Sequence, residues 1–202
     1  MKNKIISYAI GIILLLIGIF MSISLQNPHF YTSFSIGLLI ITLKIYNSLA
    51  KKPLFHKWKP KQHLTFWISL IIINIIIDKI GIYLNYWNYP SYNSILDEIL
   101  KYLFEWTAPL VYFMITLLIG FVIFKKTKTN NIIAFALSLL IFVTLLGFIT
   151  EYLNHFTYSW QILSMPFSNY QINNYFIVFQ TIGYWLMAVI PLIIYKFTEK
   201  IQ

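Results

Sequence analysis

The chain has 202 residues, 59% of them hydrophobic and only 10% charged, with a mean hydropathy of +0.72. Soluble domains carry about 25% charged residues, so this composition excludes an ordinary water-facing fold. With no cysteine, disulfides, thiol catalysis and thiolate metal sites are excluded as well.

A spanning helix needs about 20 apolar residues, and six such runs are read in chain order: Ile5–Leu25, Ser33–Ala50, Leu64–Tyr83, Trp106–Phe124, Ile132–Ile149 and Tyr175–Phe197. The runs are continuous rather than alternating, which disfavours a β-barrel. The expected fold class is all-α, a single polytopic membrane domain over residues 1–202 built as three helical hairpins. The first run follows "MKNK" and is longer than a signal-peptide core, so it is expected to persist as a helix.

All fifteen basic residues are lysines. They cluster at both termini and after the second and fourth spans; only Lys79 and Lys101 fall on the other side. Short lysine-rich loops stay in the cytoplasm, so a multi-pass plasma-membrane protein with both termini cytoplasmic is expected. The net charge of +9 then reflects topology beside anionic lipid, and no nucleic-acid partner is expected.

The third span carries Asn74 and Asp78, with Gly81 and Asn85 following on the same helical face if the helix continues. A carboxylate in hydrocarbon normally faces the bundle interior or a watery cavity. Asp78 is therefore read either as a proton donor, relay or ligand contact, or as a boundary residue paired by Lys79 or lipid headgroups. Beyond it, Asp97, Lys101 and Glu105 recur every four residues, a ladder that an exposed helix uses for modest support. Glu105 enters the fourth span ahead of Pro109, whose ring leaves the Glu105 carbonyl without its helical partner. Such a break can open a polar pocket.

Just beyond the fifth run Glu151, Asn154 and His155 stand at i, i+3 and i+4, on one face if that helix extends, a spacing that bridges a proton or caps a helix end. Two ligands do not make a metal site, and none is expected. Trp87 follows Asp78 by nine residues, and Trp160 follows Glu151 by nine. The match suggests duplicated units over 64–124 and 132–197, with a site between them. Aromatic residues such as Trp87, Trp106, Tyr112 and Trp160 read first as an interfacial belt; as a cage, their faces would stabilise a cation or cradle a polyene. No Walker lysine loop, Gly-x-Gly-x-x-Gly turn, Gly-x-Ser-x-Gly elbow or aspartate-rich diphosphate motif is present.

"IIIDKIGIYLNYWNY" resembles the carboxylate, nine-residue step and tryptophan passage of the lycopene cyclase domain family, small polytopic carotenoid enzymes that are often duplicated. Asp78 and Trp87 match that family's aspartate and tryptophan, and Pro109–Leu110 match the start of its Pro-x-Glu-Glu element. Val111 and Tyr112 stand where the paired glutamates belong, so the resemblance extends to the fold further than to the activity.

Three functional classes remain in play. One is a lipid- or isoprenoid-handling protein, in the extreme a cofactor-free acid-catalysed cyclase, with Asp78, Glu105 and Glu151 as acids. Its ligand contacts would come from Asn74, Asn85, Trp87, Trp106, Tyr112, Asn154, His155 and Trp160. The second is a small transporter, and the third an assembly or scaffold protein. Expected partners are membrane lipids, an apolar isoprenoid ligand, and a membrane-protein partner or second copy.

Overall fold

Hydrocarbon offers no water to backbone amides, so each spanning segment must close its hydrogen bonds within a helix. In the computed structural model, which describes residues 2–51, 53–102, 107–128 and 130–201, six helices are long and apolar enough to cross a membrane. The chain is an all-α, multi-pass membrane protein.

Helix α1 (Lys2–Ile23) turns sharply into α2 (Phe30–Ala50). Their backbones approach so closely that a Cβ on Gly18 would collide with Phe34, and one on Gly37 with Leu15. Such small residues are the usual device for joining helices in lipid, where apolar faces gain nothing by hiding from solvent. Helix α3 (Pro60–Tyr83) starts on a proline, which has no amide to leave unbonded. The Lys59 amide donates to Gln62 Oε1 at 2.8 Å and closes that end.

The short α4 (Ile95–Leu100) precedes α5 (Thr107–Thr127). The fifth span is composite: α6 (Asn131–Leu137), a π-helical turn (Ser138–Val143) and α7 (Thr144–Thr157) run on as one. Helix α8 (Gln180–Glu199) completes the set. At the lysine-poor end lie four short strands: β1 (Trp87–Asn88), β2 (Gln161–Ile162), β3 (Gln171–Asn173) and β4 (Phe176–Ile177).

Helix α5 is the core element: 56% of its span is buried, against 17% for α1. One aromatic cluster around α5 includes Phe30, Tyr31, Tyr112, Phe176 and Tyr184. Another, at the lysine-rich end, includes Phe66 and Phe113, with Trp58 stacked on Tyr195 at 5.0 Å.

Several boundaries differ from expectation. The sixth span starts at Gln180 rather than Tyr175, because Tyr175 lies in the β3–β4 turn and Phe176 is buried in β4. The fifth continues beyond Ile149 to Thr157, its buried polar residues being met by partners. Trp106, the expected start of the fourth span, lies outside the described residues, as does Glu105.

The Asp97–Lys101–Glu105 ladder is also overturned. Ser94 caps α4, its hydroxyl accepting from the Asp97 amide at 3.0 Å while Asp97 accepts from the Ser94 hydroxyl at 2.7 Å. Lys101 turns inward and is only 5% exposed. It is a buried counter-ion, not one rung of a solvated face.

Candidate functional site

Asp78 sits inside α3, five residues before the helix ends, and both of its carboxylate oxygens are filled. Trp87 Nε1 and the Tyr89 hydroxyl donate to Oδ1 at 3.1 and 2.7 Å. Lys101 Nζ and the Tyr102 hydroxyl donate to Oδ2 at 3.0 and 2.9 Å. The ammonium also lies 3.8 Å from the Tyr89 ring centroid and 4.6 Å from that of Tyr102. Burial, and then the nearby Asp78 carboxylate, push the Tyr102 hydroxyl up, which keeps it a donor. Lys79, which one of the two readings of Asp78 offered as its partner, instead pairs with Glu98.

Glu151, on α7, is 5% exposed. The Trp160 indole reaches both its oxygens, at 3.0 and 3.2 Å, and the Tyr184 hydroxyl donates to Oε1. Among the described residues it makes no ion pair. Asn154 clamps the Trp160 backbone from both sides, donating to its carbonyl at 2.8 Å and accepting from its amide at 3.2 Å. Tyr184 packs against Gly147, where a Cβ would collide with the ring. Tyr112, hydrogen-bonded to Thr150 at 3.0 Å, supports it with ring centroids 5.1 Å apart.

The two stations share their local geometry. Asn85 and Tyr158 both adopt the left-handed backbone, with φ of 58° and 50°, two residues before Trp87 and Trp160. Each sharp turn folds the tryptophan back onto its own helix, so that its indole reaches the carboxylate nine residues earlier. Trp87 rests on Gly81, where no Cβ would fit. The strands that follow pair antiparallel, Trp87 with Ile162 and Asn88 with Gln161. The offset that relates Asp78 to Glu151 and Trp87 to Trp160 also relates Asn88 to Gln161, so equivalent residues meet at the centre of the pair.

Both stations line one cavity of about 490 Å³ between α3 and α8. Asn74, Asp78, Trp87, Glu151 and Trp160 all contribute to its wall. Apart from those polar groups and Lys101, Gln180 and several tyrosines, the lining is apolar, including Ile80, Pro109, Ile182 and Leu186. Ile80 and Leu186 are about half exposed, at 52% and 51%. They rim the cavity on the outward faces of their helices. The volume falls within the roughly 300–1,000 Å³ of small-molecule sites.

Other expected contacts are placed elsewhere. Asn85 ends α3 rather than extending its polar face, and its carbonyl accepts from the Ser164 hydroxyl at 2.6 Å. Tyr112 stands behind Tyr184 and does not line the cavity. His155 is exposed and packs on Phe156, Tyr158 and Tyr175. One helical turn from Glu151 it points away, because the buried face of α7 already carries Glu151 and Asn154. Sequence reasoning missed Tyr184 and Gln180 at the Glu151 station, Tyr102 at the Asp78 station, and the inward turn of Lys101. Only Lys101 had a signal: it is one of two lysines on the wrong side of an otherwise consistent charge pattern.

Compared with known proteins, the chain matches no family model, no curated protein and no solved structure.

Proposed function

We propose that this protein handles a lipid or isoprenoid, drawn sideways from the bilayer into the cavity between α3 and α8, with Glu151 as the carboxyl that engages it. The observation that carries the reading is the convergence of two buried carboxylates on a single apolar cavity rimmed by outward-facing residues. Ionisable groups inside spans are costly and mark ligand or proton sites more often than scaffolding. Asp78 has a positioning role in this reading, since four donors already occupy it. The lysine distribution supports a plasma-membrane location with both termini cytoplasmic, which would put both stations in the outer half.

Gly183 supplies the test. It lines the cavity, and a Cβ built there would meet nothing within 4 Å, so Gly183→Trp should fill the space from inside without disturbing the packed core. Wild-type protein purified in detergent should carry an apolar lipid detectable by mass spectrometry. The variant should lose it at an unchanged thermal midpoint. Equal lipid content in the two would remove the reading.

One difference between the stations favours acid chemistry as a second reading. Asp78 meets a cation, whereas the donors described at Glu151 are neutral. As a carboxylic acid, Glu151 would give its proton to one carbon of an alkene, whose π pair becomes the new C–H bond. The neighbouring carbon, left positive, would be stabilised by the Trp160 and Tyr184 rings. The π pair of a second double bond in the same chain then forms a ring bond to that carbon, and loss of a proton beside the new cationic carbon to the carboxylate restores the acid and leaves an alkene. The lycopene cyclase resemblance points to such chemistry, with Glu151 in place of the glutamates missing after Pro109. In a polyene-producing host, wild type should alter the pigments and Glu151→Gln should not. Unchanged pigments with correctly inserted wild type would exclude the catalytic step.

A further inference from the structure

Lipids with the same chain can end in an alcohol, an amine or a phosphate, and the polar groups of a site decide among them. At this cavity the acceptors are plentiful and the donors are engaged. The Trp87, Tyr89 and Tyr102 donors and the Lys101 ammonium are directed at Asp78. Those of Trp160 and Tyr184, and the side-chain amide of Gln180, are directed at Glu151. Asn74 Nδ2 and the Tyr86 hydroxyl are the exceptions: both belong to the cavity wall and meet no hydrogen-bond partner among the described residues, Nδ2 being buried on α3 one turn from Asp78.

Two carboxylates and one ammonium thus define the polar end. A phosphate brought there would need cations or several donors. Lys101 could supply charge only by abandoning Asp78, leaving a buried carboxylate unpaired. A hydroxyl asks for much less. It needs one acceptor, which Glu151 can be at Oε2, where the Trp160 indole lies at 3.2 Å and the Tyr184 hydroxyl is directed at the other oxygen, and it offers an oxygen that a donor such as Asn74 Nδ2 can meet.

We infer that the cavity selects lipids whose head donates a hydrogen bond and carries no negative charge, a long-chain alcohol above all, and rejects the phosphorylated form. The inference rests on the lipid-binding reading above and adds the head-group class. Gly183 widens the space beside these groups and leaves it open for a chain, whereas the space at Gly81 is taken by the Trp87 indole.

The experiment measures binding of radiolabelled geranylgeraniol and of geranylgeranyl monophosphate to the purified full-length protein in detergent. Wild type should bind the alcohol at least about tenfold more tightly, a gap of roughly 1.4 kcal/mol. Gly183→Trp should lose both probes. Asn74→Leu should weaken the alcohol several-fold at an unchanged thermal midpoint, and Glu151→Gln should narrow the gap between the probes. Phosphate binding equal to or tighter than alcohol binding, still abolished by Gly183→Trp, would overturn the selectivity and leave lipid occupancy standing. Failure of wild type to bind either probe would overturn the occupancy reading, and the selectivity with it.

Discussion

The Asp78 and Glu151 stations are built by the same local device and finished differently. At each, a helix ends in a left-handed residue and a tryptophan folds back to reach a buried carboxylate. At Asp78 the loop beyond then delivers Lys101, which completes an ion pair and closes the site. At Glu151 Tyr184 and Gln180 arrive from α8, and no cation arrives among the described residues. A shared scaffold can therefore hold one carboxylate as a structural anchor and leave its counterpart available to a ligand. What separates the two is a single counter-ion, not depth in the bundle, since both carboxylates are buried.

The largest effect should come from removing that counter-ion. Lys101→Met strands Asp78 without a cation in a buried site, where breaking one side of an ion pair costs about 3–5 kcal/mol. Its thermal midpoint in detergent should fall steeply, and the Asp78→Asn/Lys101→Met double variant should be milder than the single. Glu151→Gln is the matching change at the other station. It keeps an acceptor for Trp160 and Tyr184 and strands no charge, so stability should move by only about 1 kcal/mol. Equal losses in Lys101→Met and Glu151→Gln would erase the distinction between anchor and ligand group.

Glycine substitutions grade the next effects. A methyl at Gly81 would overlap the Trp87 indole, and one at Gly147 would overlap the Tyr184 ring. Both rings belong to the carboxylate shells, so each Ala variant should cost about 1–3 kcal/mol by overpacking and loosen its own station alone. Gly183→Ala meets open space and should gain up to about 0.5–1 kcal/mol from helix propensity. Thermal melts of the three variants give the ordering. A destabilising Gly183→Ala would place that residue against packed atoms and close the route proposed for a chain.

Tryptophan changes are finer. Trp160→Phe removes the one indole that bridges both Glu151 oxygens and should cost about 1–3 kcal/mol, the range for a buried polar group left short of a partner. Trp87→Phe leaves Asp78 with three other donors, so its loss should be smaller. Reversal of that order, measured by unfolding under identical detergent conditions, would mean that the indoles act mainly through packing.

The spans were legible because run length is an average over many residues and tolerates local error. The step from carboxylate to tryptophan was legible as a pattern, and Asp78, Trp87, Glu151 and Trp160 meet as pairs within their own passages. What joins the passages was not. Antiparallel pairing of Trp87–Asn88 with Gln161–Ile162 depends on two tight left-handed turns, one of them at Tyr158, a residue type that seldom takes that backbone. The π-helical turn at Ser138–Val143 adds a residue to its turn and re-aims the buried face of α7, with no proline or glycine inside it to announce the change. That shift bears on why Glu151 and Asn154 face inward while His155, read as their companion, faces out. Lys101 illustrates the opposite failure: a regular spacing suggested a ladder, but burial beside Asp78 outweighed the few tenths of a kcal/mol that such a surface pair offers.

The smallest predicted effect concerns the element that carries Lys101. Helix α4 is held outside the spans by two acids. The hydroxyl of Ser94 lowers Asp97 from its ordinary range, and hydrogen bonding to Lys79 lowers Glu98. A carboxylate depressed in the folded state contributes stability that is present above its unfolded pKa, near 4 for both. That stability is lost as pH falls through the lower folded value. Acidification below about pH 4 should therefore loosen α4 and with it the Lys101–Asp78 pair, while the Glu151 station, which has no acid-held element of this kind among the described residues, should be less affected. Both acids are partly exposed and their contacts are screened by salt, so the shift in thermal midpoint should be slight and should shrink at high ionic strength. The discriminating measurement is the difference between wild type and Asp97→Asn/Glu98→Gln: it should be present at neutral pH and vanish in acid. A difference that stays constant across the titration would mean that α4 is held by its buried lysine rather than the lysine by α4, reversing the order in which the Asp78 station is assembled.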